Sequence, residues 1–282
     1  AAPEGRSRGN SSRAFGSLAG TWLSKRRILP CLLPLILFTC WNLATSSGLA
    51  PEYLLPSPRT VWETVCAYMG AVSEGYADAY AGRFWGDLSA SLGRVGSGYL
   101  LAVIPGVALG LASGRSPALA SLLSPIINGV RAVPGISWLP LALLWLGIGF
   151  RATVFLIALA GFFPAYLNAA AGAAAVPPVL IRAGRMLGFG RRAIFFRVVI
   201  PSAMPQVRTG LRVALGMSFS YLVLGELTGV PDGLGAMIMD ARLAGRVDLL
   251  VSGIILIALV GWLCDVLLMR ALSAVSVSLR RQ

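Results

Sequence analysis

Five charged side chains lie within otherwise apolar stretches of this sequence, and they are the first candidates for chemistry. They are Arg94, Arg131, Arg212, Glu226 and Asp265. A charge at membrane depth is costly, so such a residue usually pairs with another charge, reaches the membrane surface or lines a water-filled path. For three of them, Arg94, Arg212 and Asp265, we favour a position near the surface, with Arg270 as an alternative partner for Asp265.

Arg131 and Glu226 are the charged residues that we predict to line a path. Arg131 precedes a proline-broken segment, residues 134–140. Backbone groups freed by proline are tolerated at membrane depth only beside protein or a water-filled cavity. Glu226 follows a run that contains the polar residues Ser218 and Tyr221, which we add to the candidates for this path.

Catalytic chemistry has little support in the residue types present. The chain has no histidine, and its four cysteines (Cys31, Cys40, Cys66 and Cys264) form no C-x-x-C pair. Histidine-based triads and zinc sites of the usual spacing are therefore excluded, and the cysteines are expected to be buried thiols. There is also no G-x-S-x-G motif and no closely spaced pair of carboxylates, so an intramembrane protease or lipid-modifying transferase is not supported. We expect no catalytic residue and no metal site.

The composition places these residues in a membrane protein. Of 282 residues, 56% are hydrophobic and 12% are charged, against roughly 25% charged in soluble domains. Apolar runs of about 20 residues are long enough to cross a bilayer. Six runs predict six transmembrane helices: residues 28–47, 88–112, 119–146, 153–174, 209–230 and 249–272.

The basic residues predict the orientation of the spans. The net charge is +13, and Lys and Arg gather in the head, in the loop at about 176–208 and in the tail. Because basic loops stay in the cytoplasm, both termini are expected there, and the charge is a topology signal rather than a sign of nucleic-acid binding. The predicted organisation is a basic cytoplasmic segment (1–27), a six-helix transmembrane domain (28–272) and a cytoplasmic tail (273–282). A cleaved signal peptide is the disfavoured alternative for the first run, which exceeds the usual length.

Three local patterns refine this all-helical architecture. Residues 58–69 have amphipathic spacing within a polar external loop, which predicts a helix that lies at the interface or packs on the protein. Small residues recur every four positions along the second span, which predicts a close helix contact, either within the chain or at a moving or subunit interface: Gly98, Ala102, Gly106, Gly110 and Gly114. The prolines of the third span predict that this span is broken.

The loop at about 176–208 is too long for a simple turn. Pro178 suits the first turn of a helix, and Gly188 and Gly190 supply a break before a second helix that we expect to end ahead of Pro201. Two short helices at an angle would present a basic, partly apolar knob to the cytoplasm. Such a knob suits docking into a groove on another protein, and a lipid-facing polybasic loop is the alternative.

This loop resembles the signature loop of ABC importer permeases, and more closely that of the nitrate/sulfonate/taurine type, which includes bicarbonate permeases. The resemblance rests on Arg-Ala-x-x-x-Leu-Gly (182–188), on Val-x-x-Pro-x-Ala-x-Pro (198–205) and on Gly-Leu-Arg (210–212). Supporting matches surround Trp138, Asn168, Glu226 and the tripeptide 233–235. Together they extend over residues 50–270, and they add Trp138 and Asn168 to the candidate pathway.

The resemblance implies a type I importer architecture with both termini cytoplasmic in a bacterial inner membrane. It implies a homodimer of permeases, two ATP-binding cassette subunits and an external solute-binding protein that delivers a small anion, toward which Arg131 would supply positive charge. The loop would couple to the ATPase through Arg182, Ala183, Gly184, Arg185, Leu187, Gly188, Phe189, Arg191 and Arg192. The usual signature begins with Glu, whereas this chain has Arg182, so the docking chemistry would differ.

ATP and magnesium would be bound by the partner ATPase, because this chain has no G-x-x-x-x-G-K-[ST] loop and needs no cofactor of its own. Two alternatives keep a transport function. An ion-gradient-driven transporter would need several intramembrane acids, and only Glu226 and Asp265 are available. A member of the same permease family could instead carry a vitamin precursor rather than an anion.

Overall fold

The structure, a computed structural model, describes residues 32–48, 51–70 and 80–280, with side chains as far as residue 274. The predicted segment 1–27 lies outside these residues. Within them every regular element is helical. The helices are α1 Leu32–Ser46, α2 Pro58–Tyr68, α3 Phe84–Ser113, α4 Pro117–Ala132, α5 Leu139–Leu146, α6 Phe150–Ala174, α7 Pro178–Met186, α8 Arg191–Ile194, α9 Ile200–Glu226, α10 Leu234–Leu243 and α11 Val247–Arg280.

The chain divides into two compact units, residues 1–61 and 62–282. In the first unit, α1 is a short apolar helix whose leucines are exposed. The indole Nε1 of Trp41 donates a hydrogen bond to the carbonyl oxygen of Pro56 at 3.1 Å, which ties the end of this helix to the segment that precedes α2.

The core of the second unit is a bundle in which α6 packs between α3 and α9. The small residues predicted on the second span face α6. A Cβ atom at Gly98 would lie 2.6 Å from Ile157 Cβ, and one at Gly106 would lie 3.1 Å from the Phe162 carbonyl oxygen. Helices can approach this closely only where side chains are absent. The predicted small-residue face is confirmed, as packing within the chain.

In the described part of the chain, three helices are long and apolar enough to cross a membrane: Phe84–Ser113, Phe150–Ala174 and Val247–Ala274. A fourth span is obtained when α4 and the following helical segment are counted together. The predicted fifth run belongs to α9, which is long but is interrupted by serines and charged residues. The prediction of six spans therefore stays a prediction.

The predicted break in the third span is confirmed. Helix α4 ends at Ala132, a 3-10 turn occupies Gly135–Trp138, and α5 follows, with a bend of 87° between the two parts. Val133 adopts an extended conformation (φ −76°, ψ 121°), as proline at the next position requires. The bend turns the segment after α4 toward α6 and α9.

Helix α2 confirms the predicted amphipathic pattern, and its apolar residues divide between two environments. Tyr68 is buried with Phe84 and Leu234 in one core cluster, and Val65 packs against that cluster. Trp62 and Met69 are exposed. One face of α2 therefore packs on the protein, while the other presents apolar side chains outward.

The prediction that the second helix of the long loop ends ahead of Pro201 is wrong. Helix α8 continues through a π-helical turn, Phe195–Val199, directly into α9. Pro201 has no N–H to donate and cannot complete a regular α-helical ladder. It lies in the first turn of α9, and the wider π turn just before it keeps the chain helical through this point.

Candidate functional site

A cavity of about 370 Å³ lies where the broken span meets α6 and α9. It brings together four of the six predicted pathway residues: Arg131, Trp138, Asn168 and Tyr221. Apolar side chains complete the walls, among them Leu159, Phe163, Leu167, Val213 and Met217. The cavity therefore combines one cation and several aromatic rings with an apolar wall.

The break after α4 positions two of these residues. Arg131 lies in the last turn of α4, where the helix dipole favours a cation. Trp138 closes the 3-10 turn on the other side of the bend. Gly135 lies so close to the ring of Tyr221 that a Cβ atom there would overlap it, so only glycine allows this approach between the turn and α9.

The polar groups of the cavity differ in what they already bind. The Asn168 amide is occupied: it donates to the Pro164 carbonyl oxygen at 2.9 Å and accepts from Gln206 at 3.2 Å. Within the residues that the structure describes, the side chains of Arg131, Trp138 and Tyr221 have no hydrogen-bond or ion-pair partner. Three side chains with free donors therefore line one cavity whose described wall contains no acid. Such a wall can bind an anion.

Ser218 and Glu226 do not line this cavity. The Ser218 hydroxyl is fully buried and donates to the Ala214 carbonyl oxygen at 2.8 Å. Glu226 is also fully buried and lies in a separate polar cluster at the end of α9. The structure thus separates these two residues from the four that share the cavity.

The polar cluster at Glu226 also explains Arg94. The guanidinium of Arg94 donates to Glu226 Oε1 at 2.7 Å and pairs with Asp232. The Arg94 side chain is only 5% exposed, and an acid 132 residues away along the chain compensates its charge. The pairing is an outcome that the sequence did not predict, and the expected position of Arg94 near the membrane surface stays a prediction.

The same cluster caps the N-terminus of α10. The backbone N–H of Gly233 donates to Asp87 at 3.0 Å, that of Leu234 to Ser91 at 2.9 Å and that of Gly235 to Glu226 at 2.8 Å. The first N–H groups of a helix have no partner within it, so these side chains satisfy donors that would otherwise be buried without a partner. In this way α3 and α9 hold α10 in place.

Glycine is required at two positions of this cap. Gly233 has φ +118°, and a Cβ atom at Gly235 would lie 2.8 Å from Glu226 Cβ. The Tyr68 hydroxyl completes the cluster by donating to Asp87 at 2.7 Å. Burial, together with this bond to a carboxylate, raises the pKa of Tyr68 well above its usual value. Tyr68 therefore stays protonated and keeps donating.

Among the described residues, no group of three or more acids and cysteines is arranged to hold a metal ion.

Arg212 and Asp265 form the second ion pair between long helices. Arg212 of α9 binds both carboxylate oxygens of Asp265 of α11, with Nε–Oδ1 at 2.9 Å and Nη2–Oδ2 at 2.8 Å. The alternative pairing of Asp265 with Arg270 is wrong, since a planar guanidinium on the neighbouring helix offers a two-bond contact. The Arg212 side chain remains 60% exposed.

The predicted coupling residues lie on α7, on α8 and in the turn that joins them, residues 187–190. The Phe189 N–H donates to the Gly184 carbonyl oxygen and the Gly188 N–H to that of Arg185, both at 3.0 Å. These two bonds form a Schellman motif, which places Gly188 in the left-handed region at φ +79°. We refer to residues 178–194 as the coupling segment.

The coupling segment has a buried side and an exposed side. Ile181 and Ile194 belong to a core cluster that includes residues of α3, α6 and α9, and Phe189 packs against this cluster. Gly184 is also buried. The Phe189 ring lies 5.6 Å from the Arg197 guanidinium carbon. This anchoring connects the segment to the helices that line the cavity.

The exposed side carries Met186 and Leu187, which are 87% and 73% exposed. The predicted coupling residues Arg182, Ala183, Arg185, Arg191 and Arg192 are exposed as well. Apolar side chains at a loop tip surrounded by arginines are typical of a docking surface.

Sequence reasoning found the charged residues but missed their pairing. The Gly-Leu-Gly tripeptide at 233–235 was the available signal for the capped helix, because glycines at such spacing mark a close backbone approach. The sequence predicted Asp87 in an external loop and Ser91 in a span, and neither residue gave a comparable signal.

Comparison with known proteins identifies the family. Residues 106–281 match the model described as "Binding-protein-dependent transport system inner membrane component". The chain belongs to this permease family. The permease is 38% identical over 233 residues to the taurine transport system permease protein TauC of Escherichia coli (strain K12), covering 83% of this chain and 82% of that protein. It is 32% identical over 267 residues to the bicarbonate transport system permease protein CmpB of Synechocystis sp., covering 92% of each.

The fold of the permease is also found in a solved structure. An inward-facing structure of the MetNI methionine ABC transporter matches with a TM-score of 0.54 and 20% sequence identity, over 68% of this chain and 93% of that chain. This likeness confirms the predicted helical type I importer fold. The chain is a multi-pass membrane protein and the transmembrane permease subunit of an ABC importer.

Proposed function

We propose that this permease carries a small anionic solute of the nitrate, sulfonate/taurine or bicarbonate class, delivered by an external solute-binding protein. The observation that carries the proposal is the cavity at Arg131. It contains an arginine without an ion-pair partner among the described residues and no acid in its described wall. The name of the bicarbonate relative supports an anion, and that of the taurine relative supports a solute that carries an anionic sulfonate group.

The permease acts as a homodimer with two ATP-binding cassette subunits, which bind ATP and magnesium and carry out hydrolysis. The solute enters on the external face while ATP holds the ATPases closed, and hydrolysis returns the cavity to the cytoplasmic side. The coupling segment transmits this motion, because its exposed side is free to dock while its buried side contacts α3, α6 and α9. The permease itself contributes no catalytic residue.

The proposed location is the cytoplasmic (inner) membrane of a bacterium, with six spans and both termini in the cytoplasm. The coupling segment supports this orientation, because its exposed arginines belong on the cytoplasmic side of a membrane. Helix α10 and the outward face of α2 would then lie outside.

Uptake by an Arg131→Ala variant tests the anion proposal. The variant is co-expressed with its ATP-binding cassette subunit and solute-binding protein, purified and reconstituted in proteoliposomes. We expect uptake of a labelled anion to fall at least about tenfold, since a hydrogen bond to a charged group contributes about 1.5–3 kcal/mol. Arg151→Ala is the matched control, because Arg151 is an exposed arginine at the start of α6 that does not line the cavity.

The complex must assemble in both variants, with two permeases and two ATPases and with ATP hydrolysis retained. Wild-type uptake by an assembled Arg131→Ala complex would show that Arg131 does not bind the solute. Uptake of a neutral or cationic vitamin precursor in place of anions would support the alternative cargo.

Both acids on which an ion-gradient mechanism would depend, Glu226 and Asp265, are paired with arginines, so the structure favours no such second candidate.

A further inference from the structure

The cavity at Arg131 is larger and more apolar than a simple inorganic anion requires. Its volume of about 370 Å³ falls in the range of roughly 300–1,000 Å³ that is usual for sites of small organic molecules. One water molecule occupies only about 30 Å³ in the liquid. An oxyanion of four heavy atoms would fill a small part of this space and leave the remainder to water.

Donors and apolar surface are both present in this one cavity. The free donors belong to Arg131, Trp138 and Tyr221, and none of these side chains has a protein partner in the described ranges. Apart from Asn168 and Tyr221, the residues of α6 and α9 that line the cavity are apolar, and they include Phe163 and Met217. Such a wall does not strengthen the binding of a hydrated inorganic anion. For an alkyl body, the free energy of binding becomes more favourable with every methylene that it buries.

We infer that the cavity is a binding site for an organic anion, a sulfonate or carboxylate group on a short apolar body. The anionic group binds the Arg131 guanidinium and the Tyr221 and Trp138 donors. The apolar body lies against the wall that includes Phe163 and Met217. This inference rests on the proposed transport of anions and narrows it from small anions in general to organic ones.

Direct binding to the permease–ATPase complex tests the inference without the selectivity of the binding protein. The complex is placed in lipid nanodiscs, and affinities are measured by calorimetry for methanesulfonate, ethanesulfonate, butanesulfonate, nitrate and bicarbonate. We expect affinity to rise about fourfold per methylene, which corresponds to about 0.8 kcal/mol per buried CH2 at about 1.4 kcal/mol per tenfold. Nitrate and bicarbonate should bind more weakly than any of the sulfonates.

Two variants separate the anionic group from the apolar body. Tyr221→Phe removes one donor and keeps the ring, so it should weaken all sulfonates by a similar factor, about tenfold or more, and leave the dependence on chain length unchanged. Met217→Ser should flatten the dependence on chain length with little effect on methanesulfonate. Leu243→Ser is the control, because Leu243 is an exposed leucine on α10 outside the cavity.

The outcomes distinguish this inference from the proposed function. Equal affinity for methanesulfonate and butanesulfonate, or tighter binding of nitrate that depends on Arg131, would overturn the organic-anion site while supporting anion transport. Absence of binding by every anion, together with wild-type uptake in Arg131→Ala, would overturn both. Each variant is compared with wild type in its basal ATP hydrolysis and its elution as an assembled complex, so that misfolding is recognised as such.

Discussion

A single glycine sets the angle between the two short helices of the coupling segment. Gly188 has φ +79°, and no atom lies near the position of its missing Cβ. The requirement for glycine is therefore one of backbone conformation and not of space. A side chain that disfavours the left-handed region would change the direction in which α8 leaves α7.

We predict that Gly188→Val uncouples ATP hydrolysis from transport. A β-branched residue in this conformation costs about 1–3 kcal/mol, which the segment can relieve by changing its turn. The number of solute molecules transported per ATP hydrolysed should fall severalfold in proteoliposomes. Gly190→Ala is the matched control, since Gly190 has an ordinary φ of −68° and open space around it. Normal coupling in an assembled Gly188→Val complex would refute the prediction.

Glu226 is a second single residue on which the structure depends. It binds Arg94, Ser91 and the Gly235 N–H, and it is fully buried. Removing it leaves the Arg94 charge with Asp232 as its remaining acidic partner and leaves the Gly235 N–H without its side-chain acceptor, while Asp87 and Ser91 still cap the other two donors.

We predict that Glu226→Ala destabilises the permease by about 3–5 kcal/mol, the usual cost of removing one member of a buried ion pair. Thermal unfolding in detergent would show a lower midpoint, and less folded protein would be recovered. The exposed carboxylate Glu52 supplies the control, because Glu52→Ala should leave the midpoint unchanged. If both variants unfold at the wild-type temperature, the cluster does not stabilise the fold.

At the scale of elements, the bundle depends on the close approach of α3 to α6. A Cβ atom at Gly110 would lie 2.8 Å from Ala169 Cβ, whereas Gly93 on the same helix has nothing within 4 Å of this position. Both substitutions to alanine improve helix propensity equally. Any difference between them therefore reports the contact between α3 and α6.

We predict that Gly110→Ala destabilises the permease by about 1–3 kcal/mol through overpacking, and that Gly93→Ala is neutral or slightly stabilising. The comparison requires only the midpoints of thermal unfolding of the two purified variants. Equal midpoints would mean that α3 and α6 move apart to admit the added methyl group without a loss of stability.

The ion pair between α9 and α11 belongs to the same scale. Arg212 lies within α9 and Asp265 within the apolar part of α11, and the Arg212 side chain is 60% exposed. A charge facing lipid would be costly, so pairing on the neighbouring helix lowers the cost of keeping it at this depth. This contact accounts for both charges without assigning either to the solute.

At the scale of the compact unit of residues 62–282, the coupling segment packs with Leu111 at the end of α3, whereas the capped helix α10 packs with Phe84 at its start. The exposed positions Arg191 and Leu243 lie on these two parts. If the chain crosses the membrane six times as proposed, the two positions lie on opposite sides.

We predict that single cysteines at these positions differ in their accessibility. In a variant without the native cysteines, Leu243→Cys should react with a membrane-impermeant maleimide in intact cells, and Arg191→Cys should react only after permeabilisation. Labelling of Arg191→Cys in intact cells would contradict the proposed orientation. ATP-driven uptake by each cysteine variant, measured before the maleimide is added, checks that the complex is native.

The sequence alone determined the helical membrane class, the broken third span and the turn at Gly188 in the coupling segment, but not the continuation of α8 into α9. These features depend on local chemistry. The length of the apolar runs indicates membrane helices, Pro134 indicates the bend, and Gly188 indicates a turn whose positive φ favours glycine. The resemblance in the coupling segment then predicted the family, which the comparisons confirmed. The count of spans and the orientation remain predictions.

Only the tertiary structure decided which polar residues meet. Ser218 and Tyr221 are three positions apart on α9, yet one faces the buried contact with α6 and the other lines the cavity. Each residue turns the helix by about 100°, so the rotation of α9 against its neighbours decides which of them reaches the cavity. Likewise, Arg94 and Glu226 meet across 132 residues of chain because α3 and α9 pack against each other. No local pattern encodes a contact that depends on how distant helices pack.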